Sequence, residues 1–212
     1  MTPTGAPPAR SRRSRLTGRT LAIAIALQLV LPGYAAAAVS FSTAPNAPNL
    51  PAVTLNGQAT TDNATMANWG VTMSGSKTGW NVTVAGDTTA GKSAVFKQYC
   101  PNATCGTDSG PGYITGGFTL AASSLTLNST SATWTGNSGT LPSHLCNASC
   151  FMDTTTAVKI ASATTSVSLG TWSTTGYSAT SQAVSIPTTT RFLSQAGEIY
   201  RIDLVFTLNS GP

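Results

Sequence analysis

The chain has 212 residues, of which 8% are charged, and it carries a formal net charge of +5. Five of its eleven basic residues stand before position 20, at Arg10, Arg12, Arg13, Arg15 and Arg19. Six basic and six acidic residues follow position 38, so this larger part of the chain is neutral. No basic patch remains in this neutral part of the chain to argue for nucleic acid, and we predict no nucleic-acid partner.

Residues 1–38 have the three parts of a signal peptide for secretion. The basic stretch is followed by the apolar run Leu21 to Leu31 and by the small residues Ala35 to Ala38. An apolar run of eleven residues is too short to span a membrane, so we expect cleavage after Ala36 to Ala38 and no stable membrane span afterwards. Arg15 stands where a twin-arginine signal has an apolar residue, which favours general secretion over that route.

The remaining 174 residues are enough for one domain with a hydrophobic core. Residues 39–52 are rich in proline and predict an extended leading segment or an edge strand. Residues 53–212 alternate short β-type runs with clusters of Gly, Ser, Asn and Thr, without the pattern of an amphipathic helix. We therefore predict an all-β domain, an antiparallel two-sheet β-sandwich of the immunoglobulin-like type, preceded by a helical signal peptide.

Nine segments have the composition or the period of strands: Val53 to Gln58, Trp69 to Met73, Trp80 to Ala85, Tyr113 to Leu120, Leu125 to Trp134 in two pieces, Ala157 to Ala161, Val167 to Trp172, Gln182 to Ile186, and Glu198 to Leu208. The second and third of these flank a turn-rich "SGSKTG", which predicts a β-hairpin.

The last of these segments has the most regular pattern. Its apolar residues share one parity, and they are Tyr200, Ile202, Leu204, Phe206 and Leu208. This period of two predicts a central core strand that places Asp203 on the solvent face beside Arg201.

Four cysteines follow the leader, as "CPNATC" at Cys100 and Cys105 and "CNASC" at Cys146 and Cys150. An even number in an exported chain favours disulfides over a zinc site. Chain entropy favours two long bridges between the clusters, at about 4 kcal/mol each against about 2 for a local bridge. The likeness of the two loops favours local pairs, Cys100 with Cys105 and Cys146 with Cys150, and we adopt this pairing.

We find no set of residues with the pattern of a catalytic or metal site. "CGTDSGP", Cys105 to Pro111, resembles the nucleophile segment of serine proteases, but it lacks one of their two glycines. The single histidine, His144, follows this serine and has no companions at metal-ligand spacing. The segment is better explained as a turn, and we predict no enzyme, no metal and no cofactor.

The four tryptophans divide into two pairs by their neighbours. Trp69 and Trp80 align with aliphatic residues at strand spacing and are predicted to be core residues. Trp134 and Trp172 are flanked by Thr and Ser, so core packing and a surface role are equally supported. We treat these two as candidate surface aromatic contacts for sugars.

Two segments carry a resemblance to a family. "AGEIYRIDLVFTLNSGP", Ala196 to Pro212, resembles the terminal signature of the WxL-domain proteins of Gram-positive cell surfaces, and "WGVTMSGSKTGWNVTV" is similar to their earlier conserved segment. The family's two Trp-x-Leu triplets are altered in this chain, to Trp69-Gly70-Val71 and Phe206-Thr207-Leu208. The resemblance implies a β-sandwich that attaches non-covalently to peptidoglycan. It also implies a packing role for six residues: Trp69, Val71, Tyr200, Leu204, Phe206 and Leu208.

Together these features predict a secreted, extracellular protein associated with the cell wall, whose partner is peptidoglycan or another wall glycan. The alternative is a structural or adhesive subunit that pairs by strand addition with other surface proteins, using the Pro-rich segment as donor or edge.

Overall fold

Alternation of apolar and polar side chains builds most of the strands in the structure, a computed structural model that describes residues 38–212 apart from Ser138 and Ser168. The predicted signal peptide lies outside the described residues, except for Ala38. The described chain is all-β: it contains strands and no helix, and every strand pairs antiparallel to its neighbours. It belongs to one compact unit.

Three sheets have four strands each. From one edge to the other, the first sheet consists of β1 (Ala38–Thr43), β3 (Gly70–Ser74), β14 (Gly170–Thr175) and β10 (Thr133–Gly136). The second consists in the same way of β11 (Ser143–His144), β13 (Val158–Ala163), β4 (Trp80–Gly86) and β17 (Leu204–Ser210). The third consists of β12 (Cys150–Phe151), β9 (Leu125–Leu127), β15 (Gln182–Ile186) and β2 (Thr60–Ala64).

Two smaller sheets complete the fold. A three-stranded sheet consists of β16 (Ile199–Arg201), β5 (Lys97–Cys100) and β8 (Gly112–Tyr113), and a two-stranded ribbon consists of β6 (Thr104–Cys105) and β7 (Asp108–Ser109). A β-sandwich is compatible with this set of sheets, although the strands divide among five sheets rather than the two we predicted.

The core is formed where the first, second and third sheets bring their apolar faces together. Trp134 joins two other tryptophans in it: its ring packs edge-on against Trp69 at 5.0 Å and against Trp80 at 5.6 Å between centroids. Leu127 and Val184 add the apolar face of the third sheet. Edge-to-face packing suits the charge distribution of aromatic rings and adds about 0.5–1.5 kcal/mol per pair beyond the area that is buried.

The predicted hairpin between Trp69 to Met73 and Trp80 to Ala85 is wrong. Strand β3 pairs with β1 and β14, whereas β4 pairs with β13 and β17, so the "SGSKTG" turn leads from one sheet to another. Both strands still direct their apolar side chains into the shared core, as the full burial of Val71 and Val82 shows. Parity identifies the inward face of a strand but says nothing about its hydrogen-bonded partner.

The predicted central C-terminal strand is also wrong. The chain forms two strands, β16 and β17, that belong to different sheets, and β17 is the edge strand of the second sheet. Three of the five apolar side chains, Leu204, Phe206 and Leu208, belong to β17 and face the core, and all five are only half-buried. A row of apolar residues on an edge strand thus remains partly uncovered.

The strand predicted at Val53 to Gln58 is absent, and β2 begins only at Thr60. The side chain of Asn56 accepts a hydrogen bond from the backbone N–H of Gln58 at 3.0 Å, and Gly57 has a φ of +79°. This local turn competes with extended structure.

Strand β5 is not predicted from the sequence, because its inward positions include a polar residue, Gln98. The prediction from Gln182 to Ile186 coincides with β15.

Candidate functional site

A cleft of about 960 Å³ lies beside the half-buried apolar side chains of the C-terminal strands. Leu204 and Phe206 of β17 line it together with Val184 of β15, Leu125 of β9, and Leu50 of the Pro-rich segment. Clefts that hold small ligands have volumes of roughly 300–1,000 Å³ and mainly apolar walls with a few polar groups. The cleft is therefore at the upper end of that range and is the candidate binding site.

Apolar side chains also surround the cleft where it meets solvent. Val53, Phe192 and Ile199 line it, and each is among the large apolar residues that the described chain leaves exposed. Phe192 is the most exposed of them, at 62%. Exposed apolar residues that gather around one opening indicate a binding surface more strongly than the same residues scattered singly.

The charged part of the lining surrounds strand β16. Arg201 and Asp203 form an ion pair of 2.9 Å, and Lys92 approaches the same Asp203 oxygen at 3.4 Å. The Tyr113 hydroxyl donates to the other oxygen of Asp203 at 2.5 Å, and the Arg201 guanidinium lies over the ring of Tyr99. The prediction that Asp203 faces solvent is wrong, since the residue is 9% exposed, but its predicted contact with Arg201 is confirmed.

These contacts change the acidity of the groups that make them. Burial by itself raises the pKa of Asp203, but hydrogen bonds from Tyr113 and Arg201 and the positive charges of Arg201 and Lys92 outweigh burial and lower it. The pKa of the Tyr113 phenol is raised by burial and by its hydrogen bond to Asp203. Asp203 is therefore an ionised, fully paired carboxylate.

A second carboxylate, Glu198, lies in the lining with a different set of partners. Its Oε2 atom accepts hydrogen bonds from the side-chain amide of Gln98 at 2.8 Å and from the backbone N–H of Gln195 at 3.4 Å. Its Oε1 atom is buried without a hydrogen-bond partner among the described residues. Glu198 itself is 9% exposed.

Trp134 and Trp172 are not surface contacts. Both are buried, Trp134 at 6% exposure and Trp172 at 0%. Their polar neighbours, such as Thr133 and Thr171, are one position away and occupy the opposite face of the same strands. Polar flanks on both sides of an aromatic residue are therefore the alternation of a half-buried strand rather than a sign of exposure.

The six residues to which the resemblance assigns a packing role divide between the core and the cleft. Trp69 and Val71 are buried in the core, as expected. The other four are half-buried against it: Tyr200, Leu204, Phe206 and Leu208. Three of these four, all but Leu208, line the cleft.

Both cysteine pairs close locally. Cys100 and Cys105 are joined with their Cα atoms 5.7 Å apart, and Cys146 and Cys150 with theirs 5.2 Å apart. The first loop lies beside the cleft, because Pro101 lines it, and the side chain of Gln195 accepts a hydrogen bond from the N–H of Thr107, just after Cys105. The local pairing is thus the one that the structure contains.

Sequence reasoning did not identify Glu198, Gln98 or Phe192. Gln98 and Glu198 are 100 positions apart, and no spacing rule links them. Phe192 did carry a signal, since it is a single aromatic residue in the polar stretch that follows Ile186.

Within the part of the chain that the structure describes, no group of three or more His, Cys, Asp and Glu side chains is arranged to hold a metal ion. No helix in this part is long and apolar enough to cross a membrane. Comparisons with models of protein families, with curated proteins and with solved structures gave no match.

Proposed function

We propose that this protein is an exported binding module that attaches non-covalently to the Gram-positive cell wall and has no catalytic activity. It would then be a divergent relative of the WxL-domain proteins, with an immunoglobulin-like sandwich. The observation that carries the proposal is the cleft, which combines apolar walls, an exposed apolar mouth and a small number of placed carboxylates. These are the features of a site that recognises an amphipathic ligand.

The buried tryptophans direct the proposal toward this cleft. Because Trp134 and Trp172 have no exposed rings, sugar stacking on them cannot hold the protein to a glycan. Peptidoglycan also contains short peptides with methyl groups and polar backbones, and such chains suit an apolar cleft with a few hydrogen-bonding groups. We therefore assign wall binding to the cleft and favour the peptide part of the polymer.

Co-sedimentation with purified Gram-positive walls tests the proposal. The protein, expressed with its leader and recovered after export, is mixed with walls as wild type and as the Phe192→Ser variant. We expect the variant to lose at least about fivefold in affinity, since it removes roughly 1 kcal/mol or more of apolar contact at the mouth. Phe151→Ser is the matched control, because Phe151 is 47% exposed and does not line the cleft.

Two results would contradict the proposal. One is a wild-type protein that stays in the supernatant. The other is an equal loss of affinity in the Phe151 and Phe192 variants, which would place the effect outside the cleft.

A second candidate function is that of a structural or adhesive subunit. The observation that favours it is that β1 and β17 are edge strands, whose outer backbone groups can pair with a strand from another protein. Size-exclusion chromatography of the intact protein and of a variant without Val39 to Pro51 tests this function. An oligomer that disappears in the variant, while its far-ultraviolet circular dichroism stays β-type, supports assembly over wall binding.

A further inference from the structure

We propose that the cleft selects ligands that carry a primary ammonium group and that Glu198 is the residue that binds this group. The inference rests on the proposed function, and it names the ligand class within the wall: peptides with a free amine.

The charged residues of the lining favour a cationic ligand. Three carboxylates and one guanidinium line the cleft, from Asp62, Glu198, Asp203 and Arg201. Arg201 is already committed to Asp203, and Lys92 adds a second cation to the same oxygen. Among the described residues, neither Asp62 nor Glu198 has a Lys or Arg partner within salt-bridge distance. The unpaired charge of the cleft is therefore negative and is complementary to a cationic ligand.

The two carboxylate oxygens of Glu198 have different surroundings. A buried carboxylate oxygen without a hydrogen bond raises the free energy of the folded protein, because it has lost its hydrogen bonds to water and has no protein donor in their place. The Oε1 atom of Glu198 is in this situation, whereas Oε2 has two donors. A charged donor that reached Oε1 would recover this cost, and hydrogen bonds between charged groups contribute about 1.5–3 kcal/mol.

Gln98 holds this arrangement in place. Its side-chain oxygen accepts a hydrogen bond from the backbone N–H of Phe118 at 3.0 Å, so its NH₂ group must point toward Glu198. The amide can therefore supply one donor to Oε2 and cannot turn to satisfy Oε1 as well. Because Glu198 lines the cleft, the ligand approaches Oε1 from that side while both hydrogen bonds to Oε2 stay in place. Gln98 is thus a positioning residue for Glu198.

The apolar walls define the rest of the ligand. Leu204, Phe206 and Val184 offer no hydrogen bonds and require carbon on the ligand side. An amine at the end of an aliphatic side chain satisfies both parts of the site, whereas an amide or a hydroxyl on the same chain satisfies only the walls.

Isothermal titration calorimetry with three probes of equal chain length tests the inference. The probes are hexylammonium, 1-hexanol and N-hexylacetamide, and the protein is the full exported chain. We expect hexylammonium to bind about tenfold more tightly than either neutral probe, which corresponds to about 1.4 kcal/mol. The comparison of probes on the wild-type protein needs no variant. Equal affinities for all three, or no binding of any of them, would overturn the inference.

Two variants then locate the effect. Glu198→Gln keeps the shape of the side chain and removes its charge, and we expect the tenfold preference to disappear. Asp108→Asn is the matched control, because Asp108 lies outside the lining, and it should keep the preference. A preference that survives in Glu198→Gln would overturn the assignment to Glu198.

Wall binding separates this inference from the proposed function. Walls whose amines have been acetylated should retain at most a tenth of the affinity of untreated walls. If untreated and acetylated walls bind equally, the ammonium inference fails while wall attachment stands. If neither wall binds, the proposed function fails.

Discussion

The alternation around the tryptophans shows how single residues acquire their places. In β10 and β14 each Trp is flanked by hydroxyl residues that point outward while the indole points inward, so Trp134 joins Trp69 and Trp80 in one aromatic cluster. Thr suits the outward face because its β-branched side chain fits a pleated strand and its hydroxyl stays in water.

Replacing Trp134 by Ala is expected to lower the free energy of unfolding by about 3–5 kcal/mol, because the change leaves a cavity in the core beside Trp69 and Trp80. Thr133→Ala, one residue away on the outer face, should change it by no more than about 0.5 kcal/mol. Urea unfolding followed by circular dichroism measures both. Similar losses in the two variants would show that the alternation is misassigned.

His144 is expected to make stability depend on pH. Its ring stacks on Trp134, neither nitrogen has a hydrogen-bond partner among the described residues, and burial lowers its pKa from 6.5 to about 4. Between these two pH values the unfolded chain therefore binds a proton at His144 that the folded protein does not bind. The contribution of His144 to the free energy of unfolding thus falls as the pH drops from about 6.5 to about 4, and it is constant above that range. Among the residues that the structure describes, the titratable group that packs against the ring is Tyr177, which stays neutral because burial raises its pKa.

His144→Phe keeps an aromatic ring in the stack and has no proton to bind. Urea unfolding at several pH values should show that the variant loses the pH dependence between about 6.5 and 4. Asp203 changes little within this window, because its pKa is lowered from 3.8, so its stabilising contribution is present above that value and is lost as the pH falls below it. A variant with the same slope as the wild type would rule out His144 as the cause.

Among the elements, strand β17 is the one that links the fold to the proposed site. Its inward-facing side chains are apolar, as expected for a strand that faces a core. Because the strand lies at the edge of the sheet, these side chains are only half-buried. The uncovered apolar surface becomes the wall of the cleft. An interior strand with the same sequence would have produced core and no cleft.

The two disulfide loops are short elements whose contributions should be modest. Each loop closes four or five residues, so chain entropy predicts that replacing both cysteines of one pair by Ser costs about 2 kcal/mol of unfolding free energy. Removal of the first pair should in addition loosen the neighbouring ribbon of β6 and β7. Urea unfolding of each double variant measures the loss, with the pair left intact in each serving as the control. A loss near 4 kcal/mol would instead indicate that the clusters are cross-linked in solution.

At the scale of the whole molecule, neutrality governs how binding should respond to salt. The chain after position 38 has no net charge, so long-range attraction to anionic polymers contributes little. An ammonium group inside the cleft is partly buried and is screened much less than a surface pair. We expect wall affinity to change by less than about threefold between 50 mM and 300 mM salt in co-sedimentation assays. A steeper loss would indicate recognition of an anionic wall polymer.

Much of the architecture followed from local patterns. The strand pattern predicted β15 with its correct bounds, and it predicted the inward faces of β3, β4 and β17. It could do so because the pleat of a strand places alternate side chains on opposite faces, whichever strand is its partner. The cysteine loops were also recognisable, since their spacing and likeness are local features.

The sequence by itself thus determined the all-β class, the neutral balance of charge after position 38 and the inward faces of the main strands, and it left the choice between local and long cysteine pairs open. Only the tertiary structure decided that β3 and β4 belong to different sheets, that β17 is an edge strand, and that Gln98 meets Glu198 beside the cleft. The physical reason is that parity and spacing arise from neighbours along the chain. Strand partners, sheet edges and clefts arise from contacts between residues far apart in sequence, and no local pattern records those contacts.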